Sequence, residues 1–127
     1  MQDQLADLLT IIKNAEKIGR KECVVHTSKL IKSVLKIMHE NGYIGSFELI
    51  DDGKGGKFRI DLEGKIIDAN VVKPRFSVTV DELEKYEKRF LPAENVGLLI
   101  MSTSKGVIDH RKAKELHVGG KLISYVY

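Results

Sequence analysis

Apolar residues recur along the N-terminal part of the chain at intervals of three and four, the spacing that places them on one face of an α-helix. The pattern continues to residue 18, and Gly19 supplies a stop signal. We therefore predict a first helix over residues 3–18, with an apolar face formed by Leu5, Leu8, Leu9, Ile12 and Ala15.

A short strand and a second helix are predicted next. Residues 22–26 form a run rich in β-branched side chains, which is typical of a strand. Thr27 or Ser28 can then cap a helix through its hydroxyl group. Gly42 favours an end to that helix at Asn41, and the predicted apolar face consists of Ile31, Val34, Leu35 and Met38.

The middle of the chain has the pattern of successive strands. Residues 43–50 and 57–62 are strand-like, and the glycine-rich segment between them permits the positive φ of a hairpin loop. A phosphate-binding loop would join a strand to a helix and would carry Ser or Thr after Lys57, so we predict a hairpin. Residues 65–72 are again strand-like, and Pro74 interrupts the run near the expected lobe boundary.

Strands and charged segments alternate in the C-terminal half. Residues 75–80 predict a strand, and the charged segment 81–91 predicts a surface helix with Pro92 beyond its end. Residues 96–101 are nearly all apolar and predict a buried strand, which leads into the polar loop 102–106.

The end of the chain completes the predicted fold. Asp109 is expected to begin a short basic helix beside the loop, and two glycines at 119–120 then turn the chain. Residues 121–127 predict a terminal strand that pairs with 96–101. The pattern as a whole predicts an α+β protein of two small lobes. Residues 1–68 form an N-terminal α-β-α-β-β unit, and residues 69–127 form a C-terminal, mostly β unit with a short helix.

Composition supports a folded protein. Hydrophobic residues make up 43% of the 127 positions and charged residues 31%, which allows a core beneath a charged surface. No apolar run approaches the roughly 20 residues that span a bilayer, and the first helix does not resemble a signal peptide, so a cytoplasmic protein is expected. The single cysteine, Cys23, excludes an internal disulfide and is expected to be a buried thiol.

Basic residues concentrate in two segments, although the formal net charge is only +3. Residues 13–36 contain seven lysines or arginines against two glutamates, and residues 97–127 contain five against two acidic residues. Two basic segments of this kind favour a polyanionic partner, although a lysine-rich run is also typical of a solvated helix face.

The loop 102–106, Ser-Thr-Ser-Lys-Gly, has the chemistry that an RNA minor groove requires. That groove displays 2′-hydroxyls and base edges, which short hydroxyl side chains can contact as donors and acceptors. Lys105 can contact a phosphate, and Gly106 allows close backbone approach. The helix expected beside the loop would add its N-terminal amides and the charges of Arg111, Lys112 and Lys114. By composition alone, the same loop could be an ordinary polar turn.

An enzymatic alternative uses Ser102 or Ser104 as nucleophile with Asp109 and His110 as orienter and base. Neighbours in sequence at a helix start point in different directions, and the chain has no Gly-x-Ser-x-Gly elbow, so we expect no enzyme. The four histidines lack the i, i+4 spacing of a metal site, and no metal or cofactor is expected. A third alternative is a protein-interaction module centred on the helix over 81–91.

The order of local motifs along the whole chain resembles the family of small ribosomal subunit protein eight. The C-terminal half carries the loop 102–106 with Val107-Ile108 after it, then Arg111, Ala113, Gly119-Gly120 and a short terminal strand. The N-terminal half carries, in the family's order, Asp7-Leu8-Leu9-Thr10, Lys13-Asn14-Ala15, Ser28-Lys29-Leu30, Val34-Leu35 and Gly42-Tyr43-Ile44.

The resemblance implies a two-lobed protein that binds the central domain of small-subunit ribosomal RNA during assembly. It implies that the C-terminal loop docks in the minor groove of an irregular helix, through Ser102, Thr103, Ser104, Lys105 and Gly106. Arg111 and Lys112 would support that contact. A second, N-terminal contact region is implied for Lys13, Asn14, Ser28, Lys29 and Lys32.

The expected partners are therefore ribosomal RNA and neighbouring small-subunit proteins, with no membrane. Some family members also bind their own messenger RNA, which the sequence leaves open here. Three positions depart from the bacterial pattern, namely Asp109-His110 after the loop, Lys121 after the double glycine and Thr79 near the strand. The Asp-His and Gly-Gly-Lys forms, with the longer charged segment 81–95, resemble the archaeal and eukaryotic branch of the family.

Overall fold

The computed structural model describes residues 4–50, 53, 56–93 and 96–127, and the chain divides into two compact units, residues 1–67 and 68–127. The first unit has the element order α-β-α-β-β, and the second has four strands, two short α-helices and a single 3-10 turn within its described residues. Each sheet is antiparallel throughout. This is the α+β architecture with two lobes that the pattern predicted.

The two helices of the first unit confirm the periodicity argument. Helix α1 spans Gln4–Lys17 and helix α2 spans Lys29–Glu40, and every residue of their predicted apolar faces is buried. The Ser28 hydroxyl oxygen accepts a hydrogen bond from the Ile31 amide at 3.1 Å, so Ser28 is the cap of α2. Gly42 has a φ of +78° directly after Asn41, where α2 was predicted to end.

The first sheet contains β1 (Glu22–His26), β2 (Phe47–Ile50) and β3 (Lys57–Asp61), with β3 in the centre. Alternate residues of β1 and β3 are buried, so one face of the sheet contributes to the core. Cys23 lies on that face, and burial raises the pKa of its thiol to about 11, as expected for a structural rather than reactive cysteine.

The prediction of a strand from Tyr43 was too long by four residues. The Tyr43 amide bonds to the Met38 carbonyl at 2.9 Å, which closes the end of α2 and delays the strand to Phe47. Strands β2 and β3 pair antiparallel, so the segment between them is a hairpin connection as predicted. Four residues of that connection, Asp51, Asp52, Lys54 and Gly55, lie outside the described residues.

The second sheet has the strand order β4-β7-β5-β6. Strands β4 (Ala69–Val78) and β5 (Leu98–Thr103) flank β7 (Gly120–Val126), which confirms the predicted pairing of the terminal strand with residues 96–101. Strand β6 (Gly106–Asp109) pairs with the other edge of β5. One buried hydrophobic cluster of the unit consists of Val72, Val78, Leu83, Leu91, Leu99, Met101, Ala113 and Leu122.

Two predicted strands, 65–72 and 75–80, are replaced by the single strand β4. Pro74 does not end the strand, because the pairing with β7 shifts register between Val71 and Phe76 and leaves room for a residue without an amide donor. Residues before Ala69 were wrongly assigned to a strand.

The predicted surface helix is shorter than expected. A 3-10 turn at Val80–Glu82 precedes helix α3, which spans Leu83–Phe90. The Glu82 carboxylate accepts hydrogen bonds from the amide and the hydroxyl of Thr79, both at 3.0 Å. These bonds stabilise the charged form and lower the pKa of Glu82. The Glu82 amide also donates to the Thr79 carbonyl at 3.1 Å, which is the i to i+3 bond of a 3-10 turn.

Gly119 and Gly120 lie where β7 enters between its two neighbours, and close packing requires both to be glycine. A Cβ atom on Gly120 would overlap the carbonyl oxygen of Ser102 and lie 2.7 Å from the Thr103 methyl carbon. A Cβ atom on Gly119 would lie 2.6 Å from the Val78 carbonyl oxygen. The two glycines do more than turn the chain, since they let three strands approach at one point.

We predict that Gly120→Ala lowers the free energy of unfolding by about 1–3 kcal/mol, because the added methyl group must displace the β5 backbone. Urea denaturation followed by circular dichroism measures this change. Lys121→Ala is the matched control, because Lys121 is exposed and should change stability by less than about 0.5 kcal/mol. Equal stability of the two variants would mean that the close approach does not constrain the sheet.

Candidate nucleic-acid interface

The predicted loop 102–106 is the tip of the hairpin formed by β5 and β6. Thr103 pairs with Gly106, and Ser104 and Lys105 form the turn between them. The Thr103 hydroxyl donates to the Gly106 carbonyl at 2.8 Å and accepts from the Lys105 amide at 3.0 Å. Gly106 has a φ of +103°, which a residue with a side chain would adopt only under strain. Thr103 and Gly106 therefore shape the turn.

The side chains left for a ligand at the tip are those of Ser102, Ser104 and Lys105, all of which are exposed. Ser102 lies opposite Lys121 of β7, and Lys121 lies opposite Ser77 of β4. Residues paired across neighbouring strands share a face, so Ser102, Lys121 and Ser77 form one exposed row. Sequence reasoning missed Lys121 and Ser77 as candidates, because only the strand register brings them beside Ser102.

The basic helix does not start beside the loop, which corrects the sequence-based expectation. Strand β6 separates the turn from helix α4 (His110–Leu116), so the helix begins at the far end of that strand. The Asp109 carboxylate caps α4 by accepting a hydrogen bond from the Lys112 amide at 2.8 Å. Arg111 and Lys112 are exposed on its first turn and can contact a phosphate only away from the hairpin tip.

Lys114 was expected to add charge to the RNA surface, and its side chain is 44% exposed but is paired with the Glu87 carboxylate of α3 in a polar cluster. Its ammonium nitrogen lies 2.5 Å from the Glu87 carboxylate oxygen Oε1, which is also 3.3 Å from His110 Nε2. His110 Nδ1 accepts a hydrogen bond from the Leu99 amide at 3.0 Å. Its proton must therefore reside on Nε2, facing Glu87. The cluster connects α3, α4 and β5.

Burial lowers the pKa of His110, and the nearby Glu87 carboxylate opposes this shift only in part. The positive charges of Lys114 and Arg111 lower the pKa further, and Asp109 raises it. The imidazole is consequently neutral at pH 7. A protonated ring would also lose the Leu99 hydrogen bond, because Nδ1 would become a donor facing a donor.

The enzymatic alternative has no support in this geometry. Both ring nitrogens of His110 are occupied inside the unit, and the Asp109 carboxylate caps α4, so neither residue can activate Ser102 or Ser104. Among the residues that the structure describes, no group of three histidine, cysteine or acidic side chains is arranged to hold a metal ion.

The N-terminal candidates fall into two groups. Ser28, Lys29 and Lys32 lie together at the start of α2 and line a groove of about 430 Å³ within the first unit. Lys13 and Asn14 lie on α1 and do not line this groove. The groove also contains side chains that sequence reasoning did not consider, namely Thr27, Phe47, Leu49 and Phe58.

Sequence comparisons match nearly the whole chain to one family. The sequence profile of ribosomal protein S8 matches residues 3–127. The chain belongs to the ribosomal protein S8 family. Membership confirms the resemblance inferred from the motif order.

Three archaeal relatives match this chain over nearly its full length. A protein of Methanococcoides burtonii is 52% identical over 126 residues, covering 98% of this chain and 97% of the relative. A protein of Methanosphaerula palustris is 48% identical, with 99% and 98% covered. A protein of Caldivirga maquilingensis is 49% identical, with 100% and 98% covered. All three are named small ribosomal subunit protein uS8.

Membership of the S8 family makes this chain a structural ribosomal protein of the small subunit and not an enzyme, as the motifs predicted. It also confirms the expected location on the ribosome in the cytoplasm. None of the described helices has the length and apolar character needed to cross a bilayer.

We predict that the protein loses stability as the pH falls below about 6.5, because the unfolded chain then binds a proton that buried His110 resists. His110→Asn keeps an acceptor for the Leu99 amide and removes the titrating group, so its stability should depend less on pH between 7.5 and 5.5. Urea denaturation at each pH measures both. Glu82 does not contribute to this loss of stability, because its lowered pKa changes stability only below pH 4.5, the ordinary pKa of the group. Parallel pH curves for the variant and the wild type would contradict this role of His110.

Proposed function

We propose that this protein binds the central domain of small-subunit ribosomal RNA directly during assembly. The hairpin tip 102–106 docks in the minor groove of an irregular RNA helix. The observation that carries the proposal is the exposed pair of hydroxyls, Ser102 and Ser104, on a turn that Thr103 and Gly106 hold in shape. Short hydroxyl groups on a rigid strand end can reach the 2′-hydroxyls and base edges of a shallow groove.

The residues of the tip have different roles in this proposal. Ser102 and Ser104 exchange hydrogen bonds with the RNA, while Thr103 and Gly106 act indirectly by shaping the turn. Lys105 contacts a phosphate, and Lys121 extends the surface from the neighbouring strand. The two serines therefore contact the minor groove, and the two lysines contact the phosphate backbone of the RNA.

Further contacts lie away from the tip. Arg111 and Lys112 contact phosphates beyond the far end of β6. The start of α2, with Ser28, Lys29 and Lys32, forms a second contact region, and Lys13 and Asn14 extend it along α1. Exposed parts of both units contact neighbouring small-subunit proteins, because a ribosomal protein is surrounded by both RNA and protein.

A messenger RNA that presents a helix of the same shape would bind to the same hairpin tip. If the protein restrains its own synthesis in this way, its messenger RNA should compete with the ribosomal RNA fragment for one site. Loss of both interactions on substitution of the tip would support a shared site.

We predict that the double substitution Ser102→Ala with Ser104→Ala weakens binding to a central-domain ribosomal RNA fragment about tenfold. Two net hydrogen bonds of about 0.5–1.5 kcal/mol each are lost while the turn bonds of Thr103 remain. A gel-shift titration measures the change, and circular dichroism confirms the fold. Ser46→Ala, an exposed serine of the first unit, is the control and should bind like the wild type. Unchanged affinity of the double variant would contradict minor-groove docking by these hydroxyls.

We predict that Lys105→Ala reduces the slope of log K against log salt concentration by about 0.9, because one phosphate contact is lost. Selectivity between cognate and mismatched RNA should change little, since a phosphate contact carries no sequence information. The control is Lys88→Ala, whose side chain is 79% exposed on α3 and 3.8 Å from Glu84. An unaltered salt slope for Lys105→Ala would exclude its contact with a phosphate.

A further inference from the structure

Leu49 is exposed although it lies on the side of the first sheet that faces the core. It pairs in register with Phe58, which is 6% exposed, and its own side chain is 64% exposed. Paired residues share a face, so Leu49 belongs to the apolar side of the sheet. The unit therefore leaves one end of this apolar side uncovered.

A groove occupies that end, and we name it the Leu49 groove. Its floor consists of Phe47, Leu49 and Phe58, and the rings of the two phenylalanines pack edge to face with centroids 5.6 Å apart. The start of α2 forms the other side through Thr27, Ser28, Lys29 and Lys32. The volume of about 430 Å³ falls within the range of small-ligand sites.

The charged residues that line the Leu49 groove are both basic. None of its lining residues is acidic, and Lys29 and Lys32 are exposed and make no ion pair with a described residue. The groove lies at the N-terminal end of α2, where the helix dipole adds a partial positive charge. The Ser28 hydroxyl already accepts from the Ile31 amide, so the two lysines provide the contacts for an anion.

An apolar floor beside two cations suits a nucleotide. A base has an apolar face that stacks on aromatic and aliphatic side chains, and the phosphates on either side of it carry the negative charges that lysines bind. An apolar side chain from a neighbouring protein would fill the floor but leave both lysines unmatched. The composition of the groove therefore favours RNA over protein.

We propose that the Leu49 groove holds one unpaired base of the bound RNA, with Lys29 and Lys32 on the flanking phosphates. This inference rests on the proposed function, because the RNA must bind before the groove can be occupied. It adds a base-stacking contact in the first unit to the hairpin contact in the second. The contact is formed by stacking, so it accepts any base and requires only that the nucleotide be unpaired.

Tryptophan substitution provides a direct test, because the chain contains no tryptophan. In Leu49→Trp the indole would report on the groove, and in the control Ile18→Trp it would report on a site that is 73% exposed in the same unit. Both variants are titrated with a central-domain ribosomal RNA fragment to saturation, which a gel shift verifies. We expect quenching of the emission and protection from iodide in Leu49→Trp only, since a stacked base quenches the ring it covers.

Affinity gives a second readout. Leu49→Ala should weaken RNA binding by about five- to a hundredfold, the range for loss of one stacked base. Leu49→Phe should bind at least as tightly as the wild type, whereas Ile18→Ala should not change affinity. Leu49 is mostly exposed, so none of its substitutions should unfold the unit, and circular dichroism checks this.

The outcomes separate this inference from the proposed function. If the wild-type protein fails to bind the RNA fragment, the proposed function is wrong. If it binds normally but Leu49→Trp responds no more than Ile18→Trp, only the base-binding groove is overturned. Protection of Leu49→Trp in whole small subunits but not with the RNA fragment would also overturn it, because a neighbouring protein would then be the occupant.

Discussion

Strand β7 pairs with β4 on one edge and β5 on the other, and the second unit depends on the point where it enters between them. The backbone of Gly120 lies so close to the Ser102 carbonyl that no side chain fits between them. This contact sets where the end of β5 lies beside β7, and it therefore sets the position of the hairpin tip. A loop that contacts RNA through short side chains must be held accurately, because those side chains have little reach of their own.

A polar cluster supports the same hairpin from its other end. The Glu87 carboxylate of α3 lies against Lys114 and His110 of α4, and His110 accepts a hydrogen bond from the Leu99 amide of β5. One partly buried carboxylate therefore connects two helices to a strand. A partly buried carboxylate costs free energy unless it is paired, and here the pairing is possible only when α3, α4 and β5 are in their native places. The cluster therefore favours the native packing of α3, α4 and β5 over other packings that would bury a similar amount of apolar surface.

The two units offer different chemistry to a ligand. At the hairpin tip, the exposed side chains available to a ligand are serine hydroxyls and lysines. In the first unit, Lys29 and Lys32 border an apolar groove. Together, the two surfaces can distinguish a paired helix, which presents a minor groove, from an unpaired nucleotide, which presents the face of a base. A structured RNA contains both, so the two proposed contacts would recognise different features of one ligand.

The sequence by itself determined the helices of the first unit, a cap at Thr27 or Ser28, the pairing of the last strand and the family. Periodicity and capping act within a few residues, so they can be recognised without the fold. Only the tertiary structure decided that Lys114 pairs with Glu87, that β6 separates the loop from α4, that Lys121 lies beside Ser102 and that Leu49 is left uncovered. These features depend on strand register and on packing between distant segments, and one residue of register changes which side chains share a face.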